Sequence, residues 1–93
     1  MTPSMLDKTV TIRNKLGLHA RAAVKFVNLA NRFVASVKIV KDGDEIDGKS
    51  ILGILTLAAT QGTAIRLLVS GKDEDAAMAA LVELIGNRFD EKE

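Results

Sequence analysis

Gly17-Leu18-His19-Ala20-Arg21-Ala22-Ala23 is the stretch from which the rest of the chain can be read. Upstream of it lies a strand-like run, Lys8-Thr9-Val10-Thr11-Ile12-Arg13, and downstream a helix-like run from Ala20 to about Asn31. The only histidine therefore falls where a strand has ended, a loop turns and a helix begins. A helix start carries unpaired backbone N–H groups and the positive end of the helix dipole, and both favour an anion such as phosphate. Arg21 adds a permanent positive charge with a fork of donors. An imidazole nucleophile, free N–H groups and a guanidinium together suit the acceptance, holding and release of a phosphoryl group. The plainer alternative is a surface or capping histidine.

Composition removes several other classes. One histidine and no cysteine fall short of the three or four ligands of a zinc site. Asp42-Gly43-Asp44-Glu45 reads as a turn rather than an ion loop, so neither a metal nor a cofactor is expected. With 47% apolar and 27% charged residues, the 93-residue chain has the make-up of one folded domain, 1–93, with an ordered core over about 6–89. A net charge of +1 and only three aromatic residues, all Phe, argue against a nucleic-acid partner. Met1-Thr2-Pro3-Ser4-Met5-Leu6 is too short and polar for a signal peptide, and no apolar run approaches the ~18 residues of a membrane span. The expected location is the cytoplasm, without membrane insertion.

In chain order, Met1 to Ser4 is expected to be a loose start. Leu6, Lys8, Val10 and Ile12 share one face of a first strand, with Val10 and Ile12 inward. Asn14-Lys15-Leu16-Gly17 breaks it, and Gly17 frees the backbone just before His19. In the first helix, Ala23, Phe26, Val27 and Ala30 form one apolar face. Ala35, Val37 and Ile39 alternate inward on a second strand, Asp42 to Asp44 forms a turn, and a short third strand runs from about Glu45 to Gly48. Ser50 is placed as the N-cap of a short helix. Ile51, Leu52, Ile54, Leu55 and Leu57 crowd that helix so densely that one face cannot hold them all, which points to an exposed contact surface. Gly43 to Ser50 satisfies the Walker A spacing formally, yet Asp44, Glu45 and Asp47 would repel a triphosphate. Ile65, Leu67 and Val69 alternate on a fourth strand, Thr63 to Ser70. Asp73 then reads as the N-cap of a last helix whose apolar face comprises Met78, Leu81, Val82, Ile85 and Phe89. Asp90 to Glu93 is expected to fray. The order is βαββαβα, an α+β pattern best buried with helices on one face of an antiparallel sheet.

From about Lys8 to Phe89 the chain resembles HPr, the histidine-containing phosphocarrier family of the bacterial phosphoenolpyruvate-dependent phosphotransferase system. Gly17-Leu18-His19-Ala20-Arg21, Lys49-Ser50-Ile51-Leu52-Gly53 and the spacing between His19 and Ser50 carry the resemblance. It implies an open-faced β-sandwich: a four-stranded antiparallel sheet in order 1-4-2-3, covered on one face by three helices. It also implies phosphorylation of His19 at Nδ1, with Arg21 steadying the phosphate. Ser50 matches the serine that a regulatory kinase modifies in some members, a phosphorylase being the expected counterpart. Ile51, Leu52, Leu55 and Val24 are the implied partner-binding positions, for enzyme I and for EIIA-type domains. Ala22 stands where the family usually has Pro, a residue that pre-sets the first helical turn. Ala is an excellent helix former, so the helix is expected to survive.

Sugar transport is the first reading of that relay. The ending Gly86-Asn87-Arg88-Phe89-Asp90-Glu91 also looks like the tail of nitrogen-related HPr paralogues, which makes a regulatory phosphorelay the close alternative. A non-catalytic, small-molecule-binding regulatory domain would have the same fold but would leave the His19–Arg21 pairing unexplained.

Overall fold

A computed structural model describes residues 5–93, so the loose start read at Met1 to Ser4 lies outside the described residues. Strand β1 is Leu6–Thr11, helix α1 Ala20–Ala30, strands β2 and β3 Ser36–Lys41 and Asp44–Asp47, helix α2 Ile51–Thr56, strand β4 Ala64–Ser70 and helix α3 Glu74–Gly86. A short left-handed turn, Arg88–Asp90, follows. The four strands form one antiparallel sheet in order β1-β4-β2-β3, as the resemblance implied.

The alternation read from the sequence decides which face of the sheet is covered. Val37 and Ile39 on β2 and Ile65, Leu67 and Val69 on β4 are buried together with Ala23, Phe26, Val27 and Ala30 of α1 and Met78, Leu81 and Ile85 of α3. Ile12 is buried just beyond β1, while Val10 and Leu6 are only partly covered at the sheet's outer strand. The opposite face sets Asp7, Thr9, Lys38 and Arg66 beside the half-buried Val40 and Leu68, and carries an ion pair between Asp7 and Arg66. That pair holds the Asp7 carboxyl below its usual value, first through the hydrogen bond from Arg66.

Three local expectations need correction. The hairpin tip is two residues long rather than three. Asp42 and Gly43 both have positive φ, 52° and 84°, the condition for a type I′ turn that matches strand twist, and Asp44 already pairs with Lys41. Asp73 precedes α3 but does not cap it with its side chain. Its carboxylate instead accepts the N–H groups of Val34 and Ala35, each at 2.9 Å, tying the start of α3 to the loop before β2. The Val34 bond is the main reason this carboxyl sits below its ordinary value. Finally, Phe89 does not lie on α3. The helix stops at Gly86, and Phe89 reaches the core from the turn beyond it.

The loop that presents His19 is anchored by the segment between α2 and β4. Leu18 N–H donates to Ala59 O at 2.9 Å, and Gly17 has φ +68°. A Cβ at Gly17 would fall 2.9 Å from Thr60 Cα and closer still to Ala59 O, so only glycine permits this approach.

Candidate functional site

His19 is the N-cap residue of α1, with an extended backbone (φ −76°, ψ 178°) and its ring turned over the first helical turn. Arg21 N–H donates to His19 Nδ1 at 3.2 Å. Most N-caps use an oxygen for this task, and here the imidazole does it. An N–H pointing at Nδ1 requires a lone pair on that nitrogen, so the neutral ring carries its proton on Nε2. Nε2–H is engaged in turn by Glu91 Oε2, in a close contact across almost the whole length of the chain. The other Glu91 oxygen, Oε1, accepts from Asn14 Nδ2 at 3.0 Å, and the same Asn14 nitrogen donates to Gly17 O at 2.7 Å. Asn14 itself is completely buried.

The tail that delivers Glu91 is the largest departure from the sequence reading. Asp90 to Glu93 was expected to fray, yet the Glu91 side chain is only 12% exposed. Arg88, Phe89 and Asp90 have φ of 57°, 54° and 61°, three successive left-handed residues that turn the chain back toward α1. Phe89 anchors the turn at 0% exposure, and Lys25 Nζ donates to Phe89 O at 2.6 Å. Farther on, the backbone N–H of Lys15 meets the Glu93 backbone oxygen. Burial alone would push the Glu91 carboxyl up. The hydrogen bonds from Asn14 and His19, with the His19 and Lys25 charges, outweigh it and leave the carboxyl below its ordinary value.

Arg21 is exposed, and among the described residues no hydrogen bond or ion pair holds its guanidinium. It borders an open cleft shared with Lys15, Leu16, Lys25 and tail residues 90–93. In that cleft Lys15, Arg21, Lys25 and Lys92 thus stand beside the carboxylates of Asp90, Glu91 and Glu93. Ala22 is fully buried beneath this first turn, and α1 forms without a proline there. Among the described residues, no group of three or more His, Asp or Glu side chains could hold a metal ion.

Ser50 is the N-cap of α2: its Oγ accepts Gly53 N–H at 3.0 Å. The crowded apolar helix divides as its composition required. Ile54 and Leu57 are buried, Leu55 is partly covered, and Ile51 and Leu52 are exposed, Leu52 at 76%. Val24 on α1 is exposed as well, and α1 and α2 pack side by side.

Glu91 and Asn14 are the site residues that sequence reasoning missed. In the sequence Asn14 reads only as part of a strand-breaking loop. Nothing local marks Glu91, because its partner His19 lies 72 positions away.

In sequence and fold the chain is similar to known proteins. Residues 6–87 match the family model described as the PTS HPr component phosphorylation site. The phosphocarrier protein HPr of Cupriavidus necator is 51% identical over 89 residues, covering 96% of this chain and 100% of that protein. The phosphocarrier protein HPr of Pseudomonas aeruginosa is 53% identical over 85 residues, covering 90% of this chain and 94% of that protein. A crystal structure of HPr from Thermoanaerobacter tengcongensis superposes with a TM-score of 0.91 at 41% identity, covering 95% and 99% of the two chains. With its sheet order, its histidine at a helix start and its near-complete match to these proteins, the chain belongs to the HPr phosphocarrier family of the phosphotransferase system.

Proposed function

We propose that His19 Nδ1 accepts a phosphoryl group from phosphorylated enzyme I, ultimately from phosphoenolpyruvate, and passes it to an EIIA-type acceptor. The observation that carries this reading is the contact between Arg21 N–H and Nδ1, which puts an imidazole lone pair at the positive end of α1. In the transfer, a bond forms between Nδ1 and phosphorus while the bond from phosphorus to the donor breaks. Nδ1 must release Arg21 N–H as it attacks. A phosphate oxygen can then take over that N–H, so the helix start exchanges a neutral acceptor for an anionic one. His19 needs no base, because the attacking nitrogen already carries a lone pair. Partner proteins supply the rest of each transfer site, and the protein works as a stoichiometric intermediate in the cytoplasm.

Incubation with phosphoenolpyruvate and enzyme I tests the reading. A phosphate that is labile in acid and stable in base is expected on His19, and its absence would overturn the proposal. The recipient is proposed to serve sugar transport. The tail sequence Gly86 to Glu91, which looks like that of nitrogen-related paralogues, favours a regulatory relay as the second reading. Phosphate transfer to sugar-type or to nitrogen-type EIIA domains separates the two.

Arg21 is assigned to the phosphorylated state. Its guanidinium is uncommitted among the described residues and can form a bidentate pair with phosphate. Arg21→Ala is expected to weaken the phosphorylated form by about 1–3 kcal/mol relative to the free one. Arg21→Lys should recover only part, because an ammonium group lacks the fork. The measurement is the rate of phosphohistidine hydrolysis and of transfer to a partner. Equal rates in wild type and Arg21→Ala would remove Arg21 from the site.

Ile51, Leu52, Leu55 and Val24 are proposed as the docking face for enzyme I and EIIA-type domains, and Ser50 as a regulatory site at its edge. A serine kinase and phosphorylase would be the partners acting on Ser50. The Ser50→Asp variant should keep a near-wild-type melting temperature, because a carboxylate at an N-cap is well tolerated. Phosphorylation of His19 should nevertheless slow markedly at low salt, since like charge across an interface can cost several kcal/mol. Added salt should restore part of the rate. An unchanged rate would leave Ser50 as a helix cap alone.

A further inference from the structure

We infer that Glu91 is a positioning residue for phosphoryl transfer: its carboxylate holds Nε2–H of His19, fixes the ring, and keeps Nδ1 as the attacking nitrogen. The inference rests on the phosphocarrier reading and adds to it a residue from the far end of the chain. Two contacts on opposite ring nitrogens, Arg21 N–H on Nδ1 and Glu91 Oε2 on Nε2, leave the imidazole one orientation and one tautomer. Glu91 is itself held from two sides. Asn14 Nδ2 grips Oε1, and the buried Phe89 with its left-handed turn sets the path of the backbone.

The chemistry requires a carboxylate. Asn14 Nδ2 and His19 Nε2–H are both donors, so both oxygens of residue 91 must accept. A glutamine would turn an NH2 group toward one of the two donors. Charge acts in the same direction. When Nδ1 bonds to phosphorus, positive charge develops on the ring, and Nε2–H lies against a fixed anion that stabilises it without taking the proton. The proton stays on Nε2 throughout, the P–Nδ1 bond forms, and the donor leaves with the electron pair of its broken bond to phosphorus.

Glu91→Gln in the full-length protein tests the inference, with Glu91→Ala as the second variant. Circular dichroism should show both folded, since Phe89 and Lys25 still anchor the turn. With enzyme I as catalyst and the carrier as substrate, kcat should fall about tenfold or more, the scale of losing a histidine's orienting partner, while KM stays within about twofold. Proton NMR supplies a readout independent of phosphate. Wild type should show a downfield Nε2–H resonance protected from exchange with water, and Glu91→Ala should lose it. Wild-type protein that takes no phosphate overturns the phosphocarrier reading and this inference together. Wild-type protein that takes phosphate, while Glu91→Gln and Glu91→Ala match its kcat or Glu91→Ala retains the ring proton, overturns the role of Glu91 alone.

Discussion

His19→Ala is expected to acquire no acid-labile phosphate from enzyme I while remaining folded. The chain has one imidazole, so no neighbouring ring can substitute. The structural cost should be small. The ring is a quarter exposed, and its contributions to the fold are the cap bond to Arg21 N–H and the contact with Glu91. Losing an N-cap side chain costs about 0.5–2 kcal/mol. Asn14 still binds one oxygen of Glu91, so the carboxylate keeps a partner. For a domain of this size, each kcal/mol lowers the melting temperature by about 4–8 °C. A modest decrease by circular dichroism, with phosphorylation absent, is the expected pair of results. An unfolded variant would make His19 a structural residue, and a variant that still accepts phosphate would place the acceptor elsewhere.

Phe89→Ala should give the largest loss of stability among these substitutions. The side chain is completely buried among the residues of α1 and α3, and truncating a buried Phe typically costs about 3–5 kcal/mol. The effect should not stop at the core. Phe89 is the middle residue of the left-handed turn, and without its ring nothing apolar holds the 88–90 segment against the domain. The Lys25 bond to Phe89 O and the approach of Glu91 to His19 should loosen together. Urea denaturation should show a midpoint well below wild type with little change in slope. Under conditions where the variant remains folded, its phosphorylation should slow as it does in the Glu91 variants. A stability loss under about 1 kcal/mol would mean that the ring does not occupy the core, because full burial predicts several times more.

The parts of the molecule governed by local rules were legible in advance. Alternation placed Val37 and Ile39 and Ile65, Leu67 and Val69 inward because one buried sheet face imposes a period of two. Asp42-Gly43 locates the hairpin, and the structure differs only in the length of its tip. Ser50 and His19 were read at helix starts because the residues after them are helical and those before them are not. Tail residues escaped for a definite reason. Phe89 follows Ile85 by four positions, so helical periodicity runs straight through the break and conceals it. Gly86-Asn87 carried a helix-stop signal that should have prevailed. The left-handed residues Arg88, Phe89 and Asp90 have no such signal, because their conformation is imposed by the burial of Phe89 and not by their own preference. Asp73 shows the same principle in reverse. Its position before α3 was legible, but its carboxylate serves Val34 and Ala35, nearly forty residues back along the chain.

The sheet order has a consequence for how the domain holds together as a whole. β4, the last strand in the chain, stands between β1 and β2 and pairs with both. Without it, β1 has no neighbour, and only the hairpin of β2 and β3 is left, an arrangement at best marginal in water. α1 and α3 would then lose the apolar bed formed by Ile65, Leu67 and Val69. Neither half of the chain is therefore a viable partial product, and folding must be cooperative: the sheet closes when β4 enters its centre or it does not close at all.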